Sequence, residues 1–523
     1  MNFKIIFSTL IQYLIIKSVN TKEIELECDI SESHFTKNSC SFTTTTCIIE
    51  QFRDFWDDNI KLIFTNSRDE NFTSIVFQNC YIPIFPKELF EQFSNLESID
   101  LSSAGITRIK EGKTFINGSE LIELNLANNG LTEIAGLTFK GAENLKSLDL
   151  SNNRINVVSI KAFDVTPKLE YLNLCHNLIQ IIKPEMFKVL KNLRTVFLYR
   201  NSIIDVNPQS FAYNNQLNTL DLNSNVLREV ELELSSPRLN KLDLSNCSLD
   251  ELTLRKSSNI DGNLTIRYLN VFHNELNNIS QIRVDKAIKL QNLDLSNNHL
   301  RSLNIPPEFI QDLNVLKLND NHLWEISTGF LNKFGKLRAL YLNKNDMRLY
   351  DSMFKYLSNL KILSLADNRM KKLDLRYFEG LSNLTQLNLE NNLLVNFNYT
   401  TLSNILPSIE LLLIDNNLFR CQFLHEMMGY VRNKTEGRTI EFTNEGLNKE
   451  PSCVPDDQQG ETYWIWIVIG LIFVTFVILM IVLRQKIFER WNQIRRRLRS
   501  YSNMRETDHS EHAQGPLADR SED

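Results

Sequence analysis

Nine side chains suited to recognition chemistry recur in two places of this 523-residue chain. Tyr171, His176, Arg194, Phe197, Tyr199 and Arg200 form the first group; Tyr268, Phe272 and His273 form the second. Phe197 and Tyr199 alternate with Val196 and Leu198, so in a strand both aromatics point to the face opposite the two aliphatics. Exposed rings beside an arginine are frequent anchors of protein interfaces. The competing explanation is that a strand face tolerates aromatics and the rings only pack on one another. His176 and His273 stand alone without metal-ligand spacing, so no metal and no cofactor is expected. No nucleophile–base–carboxylate constellation and no glycine-rich phosphate loop occurs, so catalysis is not expected.

These groups are set in a repeat. Leu145-Lys-Ser-Leu148-Asp-Leu150-Ser-Asn-Asn153-Arg-Ile155 is matched by Leu169-Glu-Tyr-Leu172-Asn-Leu174-Cys-His-Asn177-Leu-Ile179 and by Leu384-Thr-Gln-Leu387-Asn-Leu389-Glu-Asn-Asn392-Leu-Leu394. The pattern opens at 72, 96, 121, 145, 169, 193, 217, 239, 266, 290, 313, 337, 360, 384 and 409, fifteen copies in all. It is the leucine-rich-repeat signature, in which copies stack into a solenoid because none buries its apolar face alone. The fold class expected is an α/β repeat with a concave parallel sheet, cysteine-bearing caps and one transmembrane helix. Asn129, Asn153, Asn177, Asn201, Asn225, Asn274, Asn298, Asn321, Asn345, Asn368, Asn392 and Asn417 mark the point where the chain leaves each strand, and Cys80 and Cys247 take that place in two copies. An amide there can bond backbone groups that would otherwise be buried without partners. A second ladder runs through Phe90, Phe115, Phe139, Phe163, Phe187 and Phe211, then Phe309, Phe330, Phe354 and Phe378. The spacing becomes irregular between 217 and 290 and the spine is missing between Phe211 and Phe309, which predicts a change of twist or curvature across residues 217–290. Parallel strands ~4.8 Å apart would set the two recognition groups roughly 15–20 Å from each other.

Residues 1–20 read as a signal peptide, with Lys4 ahead of an apolar run too short to span a bilayer. Residues 21–71 form an N-terminal cap, 72–420 the repeats, 421–453 a C-terminal cap and 454–463 a stalk. Cys28, Cys40, Cys47 and Cys80 fit two cap disulfides with three pairings open, unless Cys80 is instead a buried thiol at the ladder position. Cys175 falls on an outward position, either as an inert thiol or as a bond to a partner chain. Cys247 lies three copies away, beyond the ~7 Å reach of a disulfide. Eight acceptors for N-glycosylation occur at Asn71, Asn117, Asn246, Asn263, Asn278, Asn383, Asn398 and Asn433.

Residues 464–483 carry no charge and match a ~30 Å hydrocarbon core. Tyr463, Trp464 and Trp466 flank one end, and Arg484, Lys486, Arg490, Arg495, Arg496, Arg497 and Arg499 the other. The positive-inside rule then places 484–523 in the cytoplasm and the repeats outside, a type I plasma-membrane topology. In that tail Ile487, Trp491, Ile494, Leu498 and Tyr501 share one helical face, a pattern suited to the inner leaflet. Tyr501-Ser-Asn-Met504 resembles a tyrosine-based sorting or docking motif.

The segment Leu89-Phe-Glu-Gln-Phe-Ser-Asn-Leu96-Glu-Ser-Ile-Asp-Leu101 resembles the first repeats of insect extracellular leucine-rich-repeat proteins. It is similar to Toll-like ectodomains and to mosquito leucine-rich immune proteins, and the resemblance covers roughly residues 28–453. It implies recognition of proteins, microbial molecules or neighbouring cells. Asn416-Asn-Leu-Phe-Arg-Cys421, followed by Cys453, resembles the family's C-terminal cap. The usual C-x-C pair is absent here, so a single Cys421–Cys453 bridge is implied. The tail is far too short for a Toll/interleukin-receptor domain, so any signal would pass through a co-receptor or a tail adaptor, and a co-receptor or a second copy in a homodimer is the expected membrane partner. The formal charge of −6 does not suit a nucleic-acid binder. The expected function is a cell-surface receptor binding an extracellular protein or microbial ligand through its concave face, in innate immunity. The alternatives are cell–cell adhesion and a membrane-anchored scaffold that captures secreted partners, for instance through Cys175.

Overall fold

A computed structural model describes residues 73–303 except 111, then 308–434, 440–442, 452–454 and 483, with the backbone of four strands before them. The signal segment, the stalk beyond 454, the tail and all of the apolar run except Leu483 lie outside the described residues. Among the described residues no helix is long and apolar enough to cross a membrane. The chain divides into two units. One holds the repeats, 1–419 with 423–453; the other holds 420–422 with 454–523, where Arg420 and Val454 form an isolated parallel bridge.

The L-x-L segments form one strand per repeat, paired in parallel and in register. The ladder runs from Thr45–Glu50 through Ser74–Gln78, Ser98–Asp100, Glu123–Asn125, Ser147–Asp149, Tyr171–Asn173, Thr195–Phe197 and Thr219–Asp221. It continues through Arg238–Asp243, Leu264–Asn270, Ile288–Asp294, Val315–Lys317, Ala339–Tyr341, Ile362–Ser364 and Gln386–Asn388 to Leu411–Leu413. At one edge Asp29–Glu32 pairs antiparallel with Thr45–Glu50; at the other, Leu411 receives a single bridge from Glu441. The sheet is therefore open. The middle residue of each three-residue strand is buried, as are the leucines two positions on, such as Leu150, Leu174 and Leu198. Each such burial contributes roughly 1.5–3 kcal/mol.

Behind the sheet the phenylalanine spine forms as its spacing predicts. Ring centroids lie 5.4 Å apart for Phe90–Phe115, 5.6 Å for Phe115–Phe139, 6.3 Å for Phe139–Phe163, 6.1 Å for Phe163–Phe187 and 5.4 Å for Phe187–Phe211. Phe85 joins at 4.9 Å from Phe115. Close coil-to-coil approach along this side leaves no room for a Cβ at Gly141, whose φ is +107° and whose added methyl would lie 1.8 Å from the Phe115 carbonyl. Where the spine stops, a second parallel sheet forms. Glu229–Leu234, Glu251–Lys256 and Ile282–Val284 pair in register, lengthening the two-residue pairs that flank the spine repeats, and Val230, Leu232, Leu234, Leu252 and Leu254 are buried. The period-two pattern Glu-Val-Glu-Leu-Glu-Leu is the reason: it buries alternate residues only as a strand.

The asparagine ladder holds the turns. The Asn153 amide donates to Leu126 O at 2.9 Å in the preceding coil and to Leu150 O and Ser151 O at 3.1 and 3.2 Å in its own. Its Oδ1 accepts from Leu131 N at 3.0 Å. Asn298 repeats the pattern with Val271 O, Leu295 O and Ser296 O, and accepts from Leu276 N at 3.1 Å. One residue earlier the chain turns through a left-handed conformation: φ is 54° at Asn152, 55° at His176, 53° at Arg200, 55° at His273 and 55° at Asn297. At Cys247 the thiol donates to Leu222 O and Ser245 O, both at 3.3 Å.

Of the two readings for Cys80, its surroundings fit the ladder position: it is buried, and its Sγ donates to Gln78 O at 3.3 Å within the turn. Cys28 and Cys40 lie outside the described residues, and Cys47 is described in its backbone alone. At the other end Cys421 and Cys453 are both disulfide-bonded. The helix Cys421–Lys434 closes the array, burying Leu424, Met427, Met428 and Val431, with Phe423 stacked 5.4 Å from Phe419.

Asn298→Ala is expected to destabilise the repeats by about 2–4 kcal/mol, since it strips partners from four buried backbone groups. Cys247→Ala, which removes two weaker thiol bonds, should cost about 1 kcal/mol. Urea denaturation and local hydrogen exchange of the two variants measure this. Equal losses would mean that the amide is not what ties the coils together.

Candidate recognition face

The outward side of the long sheet is built from one recurring local device. Asp100, Asn125, Asp149, Asn173, Asp221, Asp243, Asn270, Asp294 and Asn388 stand at the strand exit, and in each Oδ1 accepts from the amide two residues on, at 2.8–3.1 Å. This side-chain turn starts the left-handed corner. Phe197 occupies the same place with no acceptor to offer. In its repeat the cap is given up for a ring.

That ring is the centre of a cluster. Phe197 meets Tyr171 edge-on at 5.8 Å and Tyr199 at 5.9 Å, and Tyr199 meets His176 at 5.6 Å. Such pairs contribute about 0.5–1.5 kcal/mol each beyond their buried area. All four rings are half-buried, so their outer edges remain available. Cys175, expected on the outward face, is instead 2 % exposed. The reason is the turn: the chain has begun its corner at Cys175, whose amide donates to Asn173 Oδ1 at 3.1 Å, and Tyr199 of the next coil stands beside the thiol. The neighbouring Cys175, followed by burial, pushes the Tyr199 phenol up to about 12. Burial, then Asp149 and Cys175, raises Tyr171 as well, so both phenols keep their protons. Burial also raises Cys175, which disfavours the nucleophilic thiolate. A bond from Cys175 to a partner chain does not fit this environment.

The other predicted residues are placed differently. Arg200 is exposed on the left-handed corner, not in the strand. Arg194 lies before the strand, 3.3 Å from Glu170, and lines a recess of about 540 Å³ with Thr195, Gln216 and Pro237. In the second group Phe272, 41 % exposed, touches His273 at 5.8 Å, and the His273 Nδ1 meets the Asn297 amide. Tyr268 belongs to another contact: Lys317 donates to its hydroxyl at 3.3 Å and pairs with Asp294 at 3.0 Å.

A charged bridge missed in the sequence occupies the strands between the groups. Lys241 Nζ spans Asp221 at 3.1 Å and Asp243 at 3.0 Å, and the Asn270 amide donates to both Asp243 oxygens. Burial alone would raise the Asp243 carboxyl, but the Ser245 hydroxyl and amide, Lys241 and Asn270 outweigh it and hold it below its ordinary value. The signal available was the recurrence of Asp at the strand exit; what could not be read was which lysine reaches it.

Among the acceptor asparagines, Asn117, Asn246, Asn263, Asn278, Asn383 and Asn398 are exposed. Asn71 and the side chain of Asn433 lie outside the described residues, as do Tyr501 and Met504. Among the described residues no group of acidic, histidine and cysteine side chains could hold a metal ion.

Two outcomes follow. A thiol reagent should leave Cys175 and Cys247 unmodified in the native chain and label both after unfolding; native labelling of Cys175 would mean that the corner opens. Asp243→Asn, which keeps the turn acceptor, should cost about 1–2 kcal/mol at neutral pH. Because the folded-state pKa is depressed, that contribution is present above the unfolded value of ~3.9 and lost as pH falls through the lower folded value. Melting curves of variant and wild type should therefore converge in acid, and a constant gap would remove the charge from the account.

Family models described as "Leucine rich repeat" match residues 119–179, 167–227, 348–394 and 358–419, and a further one matches 289–313. No curated protein matches the chain. Among solved structures, the LRIM1/APL1C complex is similar at 18 % identity and a TM-score of 0.56, covering 92 % of this chain and 79 % of that one. The APL1 leucine-rich repeat domain is similar at 17 % identity and a TM-score of 0.51, covering 83 % and 100 %. A leucine-rich-repeat protein of Leptospira interrogans is similar at 20 % and 0.50, covering 69 % and 83 %. Likeness at these identities is likeness of fold. The ladder, the register of the strands and the matched segments agree that residues 119–419 contain a leucine-rich-repeat solenoid.

Proposed function

We propose that the chain is a single-pass type I receptor of the cell surface, binding an extracellular protein or microbial ligand on the outward sheet face, in innate immune recognition. The observation that carries the binding site is the Tyr171–Phe197–Tyr199–His176 cluster, built where the repeat sacrifices a turn cap to place a ring. Tyrosines with edge-on neighbours and protonated phenols offer rigid apolar area with a hydrogen-bonding tip, the composition of interface anchors. The face is open and shallow, which suits a macromolecular surface rather than an enclosed small molecule.

Glycan placement supports the same face. No acceptor sequence falls between Asn117 and Asn246, so the five repeats opening at 121, 145, 169, 193 and 217 are left clear of N-linked sugar. The uncharged run 464–483 and the arginines after it support membrane attachment with the repeats outside. A similar solenoid was solved as a complex of two such chains, LRIM1/APL1C, which favours a protein as the ligand class.

The test presents the full chain on cells to a panel of microbial components and secreted proteins, beside a Phe197→Ala/Tyr199→Ala variant that is fully folded at the assay temperature. Saturable binding weakened at least about tenfold in the variant, or ~1.4 kcal/mol, is the expected result. Binding equally strong in the variant would move the site off this face.

A further inference from the structure

Each repeat also shows a flank where the chain climbs away from the strand, and one stretch of it has an unusual composition. The residue three places after the ladder asparagine is Thr132, Asn156, Gln180, Ile204 and Arg228 in earlier repeats. In four later ones it is Arg301, Trp324, Arg348 and Lys371. Backbone bonds hold the middle of this row in register: Trp324 N donates to Arg301 O at 3.2 Å, and Arg348 N donates to Trp324 O at 3.0 Å. Their side chains therefore follow one another at about the ~4.8 Å strand spacing.

Trp324 is 45 % exposed. Among the described residues its ring has no aromatic neighbour, and Arg301, Arg348 and Lys371 form no ion pair. Some arginines elsewhere on the surface have carboxylate partners, Arg255 with Glu231, Arg283 with Glu251, Arg369 with Asp346 and Arg376 with Asp374, whereas Arg154, Arg200, Arg228, Arg267 and Arg338 form no ion pair among the described residues but stand without an exposed indole in their row. Alongside the row, His299 and His322 stack at 5.8 Å. The nearby carboxylates of Glu275 and Asp346 are engaged, by His299 at 3.0 Å and by Arg369 at 3.3 Å. Lys372 adds a further exposed cation, and Glu325 is the neighbouring acid. The chain as a whole carries −6, so a basic row around an exposed indole runs against its average.

We propose that this flank, Arg301–Trp324–Arg348–Lys371, is a second interaction surface that takes an acidic polypeptide segment in extended form. Carboxylates of such a segment meet the cations on either side, and an apolar side chain between them covers the indole. Trp and Arg are the residues that most often dominate binding energy when water is excluded from them. The row is open along its length, so it fits an extended strand of chain better than a compact ligand. It lies outside the sheet-face cluster and depends on none of its residues.

The test uses the full chain and a fluorescent peptide of about eight glutamates interrupted by a central leucine pair, followed by anisotropy. Binding should saturate, weaken with added salt as expected for exposed charge pairs, and fall at least about fivefold in Trp324→Ala and in Arg301→Glu/Arg348→Glu. Arg255→Glu and Phe197→Ala/Tyr199→Ala, both away from the row, should leave it unchanged. Absence of binding, equal binding by Trp324→Ala, or equally tight binding of a single-stranded oligothymidine of matched charge would each overturn the proposal.

Discussion

A solenoid made of short strands must turn at the end of each strand, and the next coil covers that turn. The backbone carbonyls there lose water and need donors, while a neighbouring amide needs an acceptor. A primary amide supplies both, with two donors and a carbonyl acceptor on one neutral side chain, and here it does so across coils. Asn153 reaches back to Leu126 and Leu131 while holding Leu150 and Ser151 in its own turn. Each ladder asparagine therefore belongs to two repeats at once, and cohesion is a chain of nearest-neighbour links. A cysteine at the same position keeps the donor half of the arrangement and drops the acceptor, as Cys247 does.

With the interior committed to leucines, amides and phenylalanines, variation is left to residues that face outward. Even there the strand exit is constrained, because an Asp or Asn caps the corner in repeat after repeat. A residue that breaks this habit has traded local stability for something else. Phe197 does so, as do Lys317, Tyr341, Ser364 and Leu413, and it packs on Tyr199 of its own coil and Tyr171 of the preceding one, with His176 against Tyr199. Each of the four rings packs on at least one other, so the cluster is held together before any ligand arrives.

The middle of the array differs from the part before it in what is buried away from the long sheet. Stacked rings are buried there up to Phe211, and alternating aliphatics of a lengthened parallel sheet over Glu229–Val284. Both remove apolar surface from water between successive coils, and the choice follows the local period of the sequence. On the climbing flank no such packing demand exists. Arginines and an exposed tryptophan persist there without partners within their own coil.

Periodicity alone determined much of this protein. The repeat register, the inward leucines, the amide ladder and the early phenylalanine spine were all legible, because a strand's period of two and a coil of fixed length leave one way to point each residue. The pairing of Phe197 and Tyr199 on one face was legible for the same reason. Tertiary structure decided what lies just past the strand. The left-handed corner re-aims Cys175, His176, Arg200 and His273, so a strand rule carried three residues too far buries a thiol that it predicts to be exposed. It also decided partners that come from other coils: Tyr199 beside Cys175, Lys241 between Asp221 and Asp243, Lys317 on Tyr268. Sequence period states which way a side chain leaves its own backbone, whereas burial and charge pairing depend on what the neighbouring coil places beside it.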